Sequence, residues 1–278
     1  MRARTPRMVR RSGTYAILIL VAAVFTTPLL WLVDSTLKST GQLAAFPVQW
    51  LPHSLDLDNY RQAVSEIPFL AYARNSLTIA LLYAVLTTLS SAFIGFGFAR
   101  LRGRGKKAMF GVVLATMMMP HVVTLIPTYL IFAKVHLLDT YWPWVLWGAG
   151  GSAFLIFMFR QFFSGLPSEI EEAAIVDGCG YFRIFWKVFL PQARPMLATG
   201  LILSFTWNWG DFLTPDLLLS MDRTTLGVAL ANGYQDPSGA PQPNLQAAGA
   251  TLYVIPVIVL FLVAQRAYTA NSATSGLK

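Results

Sequence analysis

Long apolar stretches dominate the pattern of hydrophobic and polar positions along this chain. Six of them are predicted to be membrane-crossing helices, at about residues 12–33, 75–99, 108–133, 141–159, 196–219 and 246–265. An α-helix rises about 1.5 Å per residue, so about 20 residues cross the hydrocarbon core of a bilayer. The fourth stretch only just reaches that length. Five of the six contain no Asp, Glu, Lys or Arg, and the fifth contains Asp211 and Asp216.

Composition supports this assignment. The chain has 278 residues, of which 55% are hydrophobic and 12% are charged. A soluble domain carries about 25% charged residues, so much of this surface is predicted to avoid water. The sequence therefore predicts an all-α polytopic membrane protein with six transmembrane helices, and residues 1–278 are expected to form a single transmembrane domain.

The net charge of +8 could indicate nucleic-acid binding, but the basic residues lie at the ends of the apolar stretches. Cytoplasmic loops of membrane proteins are enriched in Lys and Arg. With the N-terminus inside, 16 basic residues lie on the cytoplasmic side and 5 on the other. The pattern predicts two cytoplasmic termini and no nucleic-acid partner.

The first apolar stretch follows five arginines, as a signal peptide would: Arg2, Arg4, Arg7, Arg10 and Arg11. Its apolar run is longer than the 7–15-residue apolar region of a typical signal peptide. No small-x-small cleavage site follows it. We therefore expect a retained first span.

The predicted cytoplasmic connection at residues 163–195 differs in chemistry from the other loops. Pro167 suits the first position of a helix, and Glu169, Glu171 and Glu172 would lie near the positive end of its dipole. Gly178 can adopt the left-handed conformation that often ends a helix. The sequence predicts two short helices separated by a glycine turn, and Pro191 is expected to end the second helix.

Spacing places Ile170, Ala173, Ala174 and Asp177 on one face of the first short helix. Small alanines allow another backbone to approach closely, so this face is suited to docking a protein. The alternative is an amphipathic helix on the membrane surface, but such helices favour Lys and Arg on the polar face. The acidic residues here would be repelled by anionic lipid, which favours docking.

The series Glu172-Ala173-Ala174-x-x-Asp177-Gly178, followed by Leu190-Pro191, resembles the "EAA" loop of ATP-binding-cassette (ABC) importer permeases. The resemblance extends over the whole chain and points to the maltose-permease-like, carbohydrate-uptake branch. It implies a type I ABC importer permease fold, in which this loop is a coupling helix that contacts a separate ATPase. The contact would involve Glu172, Ala173, Ala174, Asp177 and Gly178, with Leu190 and Pro191 at the junction to the fifth span. Cys179 departs from the alanine that the family commonly has there.

The same resemblance implies the partners. They are a second permease subunit in a heterodimer, two copies of an ABC ATPase, an extracytoplasmic substrate-binding protein and membrane lipid, in a bacterial cytoplasmic membrane. The sequence has no Gly-x-x-x-x-Gly-Lys-Ser/Thr motif, so this chain is not expected to be an enzyme. No cofactor is expected on it, since ATP and Mg would bind the ATPase subunits. Its single cysteine and three separated histidines predict no metal site.

Polar residues in the fifth span are candidates for the substrate path, because such residues usually face a cavity or a partner. Trp207, Asn208, Trp209 and Asp211 combine aromatic rings with polar groups, as sugar-binding sites do. Packing against the second permease explains them equally well. Met117-Met118-Met119-Pro120 in the third span could form an adaptable wall, although ordinary packing with a proline kink is favoured.

The sequence offers less support for two other function classes. An ion-coupled secondary transporter needs ionisable groups inside the membrane, and Asp211 is the only fair candidate. A membrane-embedded enzyme needs paired acids or clustered histidines near one membrane face, and the sequence shows neither. An ATP-driven sugar importer is the leading hypothesis, and the ion-coupled transporter is the alternative.

Overall fold

The computed structural model describes residues 7–275, with side chains described for residues 13–263. No β-strand occurs in this part of the chain, and the all-α prediction is confirmed. The helices are α1 Arg7–Ser35, α2 Thr40–Leu43, α3 Asp58–Glu66, α4 Phe69–Arg100, α5 Lys106–Thr116, α6 His121–Lys134, α7 Trp142–Gly150 and α8 Ala153–Ser164. They continue with α9 Ser168–Val176, α10 Tyr181–Ile184, a π-turn at Phe185–Phe189, α11 Leu190–Gln192, α12 Arg194–Trp209, α13 Leu213–Leu218, α14 Leu226–Asn232 and α15 Pro243–Ser275.

Four helical segments are long and apolar enough to cross a membrane: Gly13–Ser35, Phe69–Arg100, Trp142–Ser164 and Pro243–Val263. Two bent helix pairs raise the number among the described residues to six if each pair forms one span. Orientation stays a prediction, since Arg2, Arg4 and Lys278 lie outside the described residues. The side chains of Arg7, Arg10, Arg11 and Arg266 also lie outside the described part of the chain.

The third predicted span, at 108–133, is not one continuous helix. Helices α5 and α6 meet at an angle of 99° across a break that contains Met117–Pro120. Pro120 takes an extended conformation, with φ −61° and ψ 132°, just before α6. Proline cannot donate the backbone hydrogen bond that would continue α5, so the expected modest kink is instead a full break.

The fifth predicted span, at 196–219, is also divided. Helix α12 ends at Trp209, and a separate short helix, α13, begins at Leu213. Helix α12 is preceded by the segment Tyr181–Gln192, which makes an angle of 82° with it. Pro195 at the start of α12 fits a new helix, because its missing N–H needs no partner there.

The described chain forms two compact units, and the first contains the chain up to Phe69 together with Leu230–Ile255. Buried polar groups hold this unit together. Asn59 donates to the carbonyls of Thr36 and Lys38 at 2.9 and 3.0 Å and accepts from Asn244 at 2.8 Å. Lys38 is fully buried and pairs with Asp34. The long segment after α1 is therefore an ordered, hydrogen-bonded structure.

The second unit contains Leu70–Ala229 and the chain from Pro256 onward. One of its cores is aromatic: Phe96, Phe159, Phe163, Phe185 and Phe189 are each at most 2% exposed. Helix α4 packs closely against α7 and α12. Gly148 of α7 and Gly200 of α12 leave no room for a side chain, since an added Cβ would lie 2.8 Å from Leu86 Cβ and 2.9 Å from Thr88 Cγ2.

Gly95→Ala is expected to destabilise the protein by about 1–3 kcal/mol, the usual cost of overpacking. A Cβ at Gly95 would lie 2.7 Å from Phe159 Cβ and 3.0 Å from the backbone nitrogen of Arg160, and neither atom can move freely. Gly97→Ala is the matched control, because its only close atom is the flexible end of Leu101 at 3.8 Å. Thermal unfolding of the purified chain in detergent measures both variants. Equal midpoints would contradict the close packing of α4 on α8.

Candidate coupling segment and transport cavity

The connection at residues 163–195 contains the two short helices and the glycine turn predicted from the sequence. Helix α9 begins after Pro167 and ends at Val176, and Gly178 has a φ of +76°. The amides of Gly178 and Cys179 donate to the carbonyls of Ile175 and Ala174, each at 2.9 Å, and close the turn. The second helical segment ends at Gln192, one residue after Pro191. We call residues 168–192 the hairpin.

The predicted docking face of α9 is divided between two environments. Ala174 is 8% exposed and packs into the aromatic core, and Ile170 is half-buried, whereas Ala173 and Asp177 are exposed. The four residues predicted to share a face therefore do not present one surface to a partner. A nine-residue helix lying on a protein core must direct part of its surface inward, and the smallest side chains allow the closest contact.

The second half of the hairpin is anchored by aromatic side chains. Phe185 is 1% exposed and Phe189 is fully buried, and both contact Phe96 of α4, with ring centroids 5.4 and 5.1 Å apart. Leu190 is half-buried and Pro191 is exposed at the junction to α12. The hairpin therefore packs against α4 and leads directly into α12.

Arg100, the last residue of α4, joins three elements. Its guanidinium lies 3.6 Å from Glu171 of α9, donates to the carbonyl of Phe163 at 2.7 Å and also donates to that of Leu166. It also stacks on Phe189 with 4.9 Å to the ring centroid. Both charged side chains are largely buried, at 9% and 13% exposure. Sequence analysis missed this residue, since it looked like one of several loop arginines.

Large apolar side chains on the hairpin are exposed, and the sequence analysis did not select them. Val176 is 87% exposed, Phe182 is 68% exposed, and Ile175 and Trp186 are more than 40% exposed. They lie beside the exposed acids Glu172 and Asp177. An apolar patch rimmed by charged residues is typical of a protein-binding surface.

A cavity of about 550 Å³ lies among the helices of the second unit. It is lined by aromatic, hydroxyl, amide and acidic side chains: Tyr83, His121, Thr124, Leu125, Thr128, Trp144, Trp147, Gly151, Trp207, Asn208, Asp211 and Thr214. Three of the four predicted path residues are therefore brought together. The fourth, Trp209, is 5% exposed and stacks on Phe205 at 5.5 Å, so it packs inside the protein.

The cavity residues from other helices were not selected from the sequence. Trp144 and Trp147 are three residues apart on α7, and Thr124 and Thr128 are four apart on α6. This spacing places each pair on one helix face, and a polar or aromatic face within an apolar stretch is the signal that could have revealed them. Asp211 accepts a hydrogen bond from the Thr214 amide at 3.2 Å.

Beyond the end of α6, a loop carboxylate orders two connections. Asp139 accepts hydrogen bonds from the amide and hydroxyl of Ser220 at 2.9 and 2.8 Å, and Arg223 lies 3.8 Å away. These hydrogen bonds, with a smaller contribution from the charge of Arg223, hold the pKa of Asp139 below its usual value. The carboxylate is thus an acceptor that joins the α6–α7 and α13–α14 connections.

Comparison with known proteins agrees with this architecture. Residues 88–273 match the family model described as "Binding-protein-dependent transport system inner membrane component". The maltodextrin transport system permease protein MdxG of Bacillus subtilis (strain 168) is 32% identical, and the alignment covers 100% of both chains. The arabinooligosaccharides transport system permease protein AraQ of Halalkalibacterium halodurans is 30% identical over 93% of each chain.

The fold has a solved counterpart in a bacterial ABC transporter involved in the import of the acidic polysaccharide alginate. The TM-score is 0.80 at 21% identity, and the match covers 96% of this chain and 98% of that chain. The fold is therefore that of an ABC importer permease, a multi-pass membrane subunit. The chain belongs to the family of binding-protein-dependent transport system inner membrane components. Membership implies an ATPase and a substrate-binding protein as partners.

Proposed function

We propose that this chain is one permease of a heterodimeric importer that moves a sugar or glycoside across the bacterial cytoplasmic membrane. The observation that carries the choice of cargo is the cavity lined by Trp207, Asn208 and Asp211. Aromatic rings stack on the C–H faces of sugars, and amide, carboxylate and hydroxyl groups bind their hydroxyls. The names of the relatives, which refer to maltodextrin and arabinooligosaccharides, support the same cargo class.

The mechanism is alternating access driven from the hairpin. Two copies of a separate ATPase bind ATP and Mg, and their closure moves the hairpin through its exposed residues Glu172, Ala173 and Asp177. The aromatic contacts of Phe185 and Phe189 with α4 carry that motion into the spans. Leu190 and Pro191 carry it into α12, whose far end holds the path residues Trp207 and Asn208.

On this proposal the chain is not itself an enzyme, and a binding protein delivers the cargo to the cavity from outside. The test is reconstitution of the chain with the ATPase, the second permease and the binding protein in proteoliposomes. One class of sugar is expected to raise ATP turnover and to accumulate inside. ATP turnover that no sugar raises would refute the cargo, and uptake that follows an ion gradient without ATP would refute the mechanism.

Arg100→Gln is expected to destabilise the second unit by about 3 kcal/mol and to lower uptake per ATP hydrolysed. The change breaks a largely buried ion pair and removes two hydrogen bonds to carbonyls at the end of α8. Glu171→Gln is the matched control, because it removes the charge pair and leaves both carbonyl bonds. We expect it to cost about 1 kcal/mol.

Thermal unfolding and the ratio of uptake to ATP hydrolysis in the reconstituted complex measure both variants. If Glu171→Gln matches Arg100→Gln in both quantities, the carbonyl bonds contribute nothing and Arg100 acts only through its charge. If neither variant changes the ratio, Arg100 does not position the hairpin.

A further inference from the structure

Two adjoining cavities lie where α4 ends and α5 begins. Together they form a cleft that the proposed transport mechanism does not use. Their volumes are about 900 and 270 Å³, and Phe98, Arg102, Gly103 and Lys106 line both of them. Five cationic residues line this cleft: Arg102, Arg104, Lys106, Lys107 and Arg160. No Asp or Glu belongs to its lining among the described residues. We call this region the basic cleft.

Arg160 differs from a solvated cytoplasmic cation. Its guanidinium lies 3.9 Å from the centroid of the Phe110 ring, a cation–π contact. Its Nε is buried and has no hydrogen-bond partner within the described chain. The residue as a whole is half-buried and lines the larger cavity, so a ligand in the cleft would meet the exposed part of this cation. The positive-inside rule explains the cations of the α4–α5 loop, but Arg160 lies within α8 and packs on Phe110.

The backbone adds to the positive field of the cleft. Helix α5 begins at Lys106 after Gly105, whose φ is +81°, and Gly105, Lys106 and Lys107 all line the larger cavity. The first amides of a helix lack intrahelical acceptors and bind anions such as phosphate. The ammonium group of Lys106 donates hydrogen bonds to the carbonyls of Ala99 and Leu101, its only hydrogen-bond acceptors within the described chain. Two charged side chains act on Lys106: Arg160 repels it and Glu171 attracts it. Glu171 already forms an ion pair with Arg100.

The smaller cavity continues the basic cleft with apolar side chains. Ile94, Phe98, Leu101 and Met109 line it beside Arg102 and Arg104. Met109 and Val112, three residues apart on α5, are 62% and 65% exposed and extend this surface along an apolar helix. Cationic groups next to an apolar helix surface match an amphiphile with an anionic head and hydrocarbon tails.

We propose that the basic cleft binds the phosphodiester headgroup of an anionic phospholipid, with its acyl chains along α4 and α5. One phosphate oxygen would meet the exposed part of the Arg160 guanidinium, and the first amides of α5 would contact the others. Lys107 and Arg102 would add to the positive field around this single negative charge. With the predicted orientation, the lipid lies in the cytoplasmic leaflet, close to the attachment point of the hairpin at Arg100.

The test uses the full-length chain in nanodiscs that contain phosphatidylglycerol or phosphatidylcholine, with retained lipid counted by native mass spectrometry. Wild type is expected to retain phosphatidylglycerol in preference to phosphatidylcholine. Arg160→Gln should weaken retention about fivefold, and the double change with Lys106→Gln more than tenfold. Arg194→Gln is the matched control, because Arg194 is an exposed cation outside the cleft, and it should retain the lipid as wild type does.

Several results would overturn the proposal. Equal retention of the two lipids by wild type would show that no anion-selective lipid site exists, even if the variants fail to fold. Unchanged retention in folded Arg160→Gln would exclude this cleft. Displacement of the lipid by millimolar glycerol 3-phosphate would assign the site to a free phosphate ester. Loss of the ATPase subunit from the variant complex, with lipid retained, would assign the cleft to a protein partner.

Discussion

Gly178→Val is expected to leave the permease assembled and to separate ATP hydrolysis from uptake. Gly178 has a φ of +76°, and no atom lies within 4 Å of an added Cβ, so the change strains the backbone without a clash. A β-branched residue in this conformation costs about 1–3 kcal/mol. That cost would reduce the population of the observed hairpin conformation by about 5- to 150-fold.

Gly180→Val is the matched control two residues along the chain. Gly180 has a φ of −72° and a ψ of 157°, which valine adopts readily, and an added Cβ there also meets no atom within 4 Å. Uptake and ATP hydrolysis are measured together in the reconstituted complex. Normal uptake by an assembled Gly178→Val complex would contradict the coupling role. Equal losses from both substitutions would show that bulk, and not backbone conformation, matters at this turn.

Trp207→Ala is expected to lower uptake about tenfold while the complex stays assembled, because it removes a cavity wall that stacks on the sugar. Trp207 is 46% exposed and touches Phe154 edge-on at 5.7 Å, so its loss removes little internal packing. Sugar uptake and the yield of assembled complex after purification are the two measurements.

Trp209→Ala, two residues away, is the matched comparison, because it is expected to disturb packing and not the cavity wall. Trp209 is 5% exposed and stacks on Phe205, so truncation should cost about 3–5 kcal/mol and reduce the yield of assembled complex. If Trp207→Ala instead dissociates the complex, its ring packs against the second permease and does not line the path. If Trp207→Ala transports normally, the cavity does not carry the cargo.

The helical fold class could be predicted because its signal is local. Apolar stretches of membrane-crossing length define α1, α4 and α15, and Pro167 and Gly178 mark the limits of α9 and its turn. The sequence could not show that the third and fifth predicted spans are broken at Met117–Pro120 and at Gly210. Proline and glycine occur both in kinked spans and in broken ones, and tertiary packing decides between them.

The candidate sites could be predicted only where their residues are adjacent in the sequence. Trp207, Asn208 and Asp211 lie within five residues on one segment, and the structure brings them into the cavity. Trp144, Thr124 and Tyr83 reach the same cavity from three other helices, and no local pattern joins them. Helical spacing also could not show that Ala174 points inward while Ala173 points outward, since that depends on the orientation of α9 on its core.

The central claim is that the hairpin docks on an ATPase, and cross-linking from Val176 tests it most directly. Val176 is 87% exposed, and Cys179 is the chain's single cysteine, so Val176→Cys with Cys179→Ala gives one accessible thiol. A short thiol-to-amine cross-linker applied to the complex in membranes should join this thiol to the ATPase subunit. Labelling of this thiol by an impermeant reagent from outside the cell, or no adduct with the ATPase in an active complex, would contradict the account.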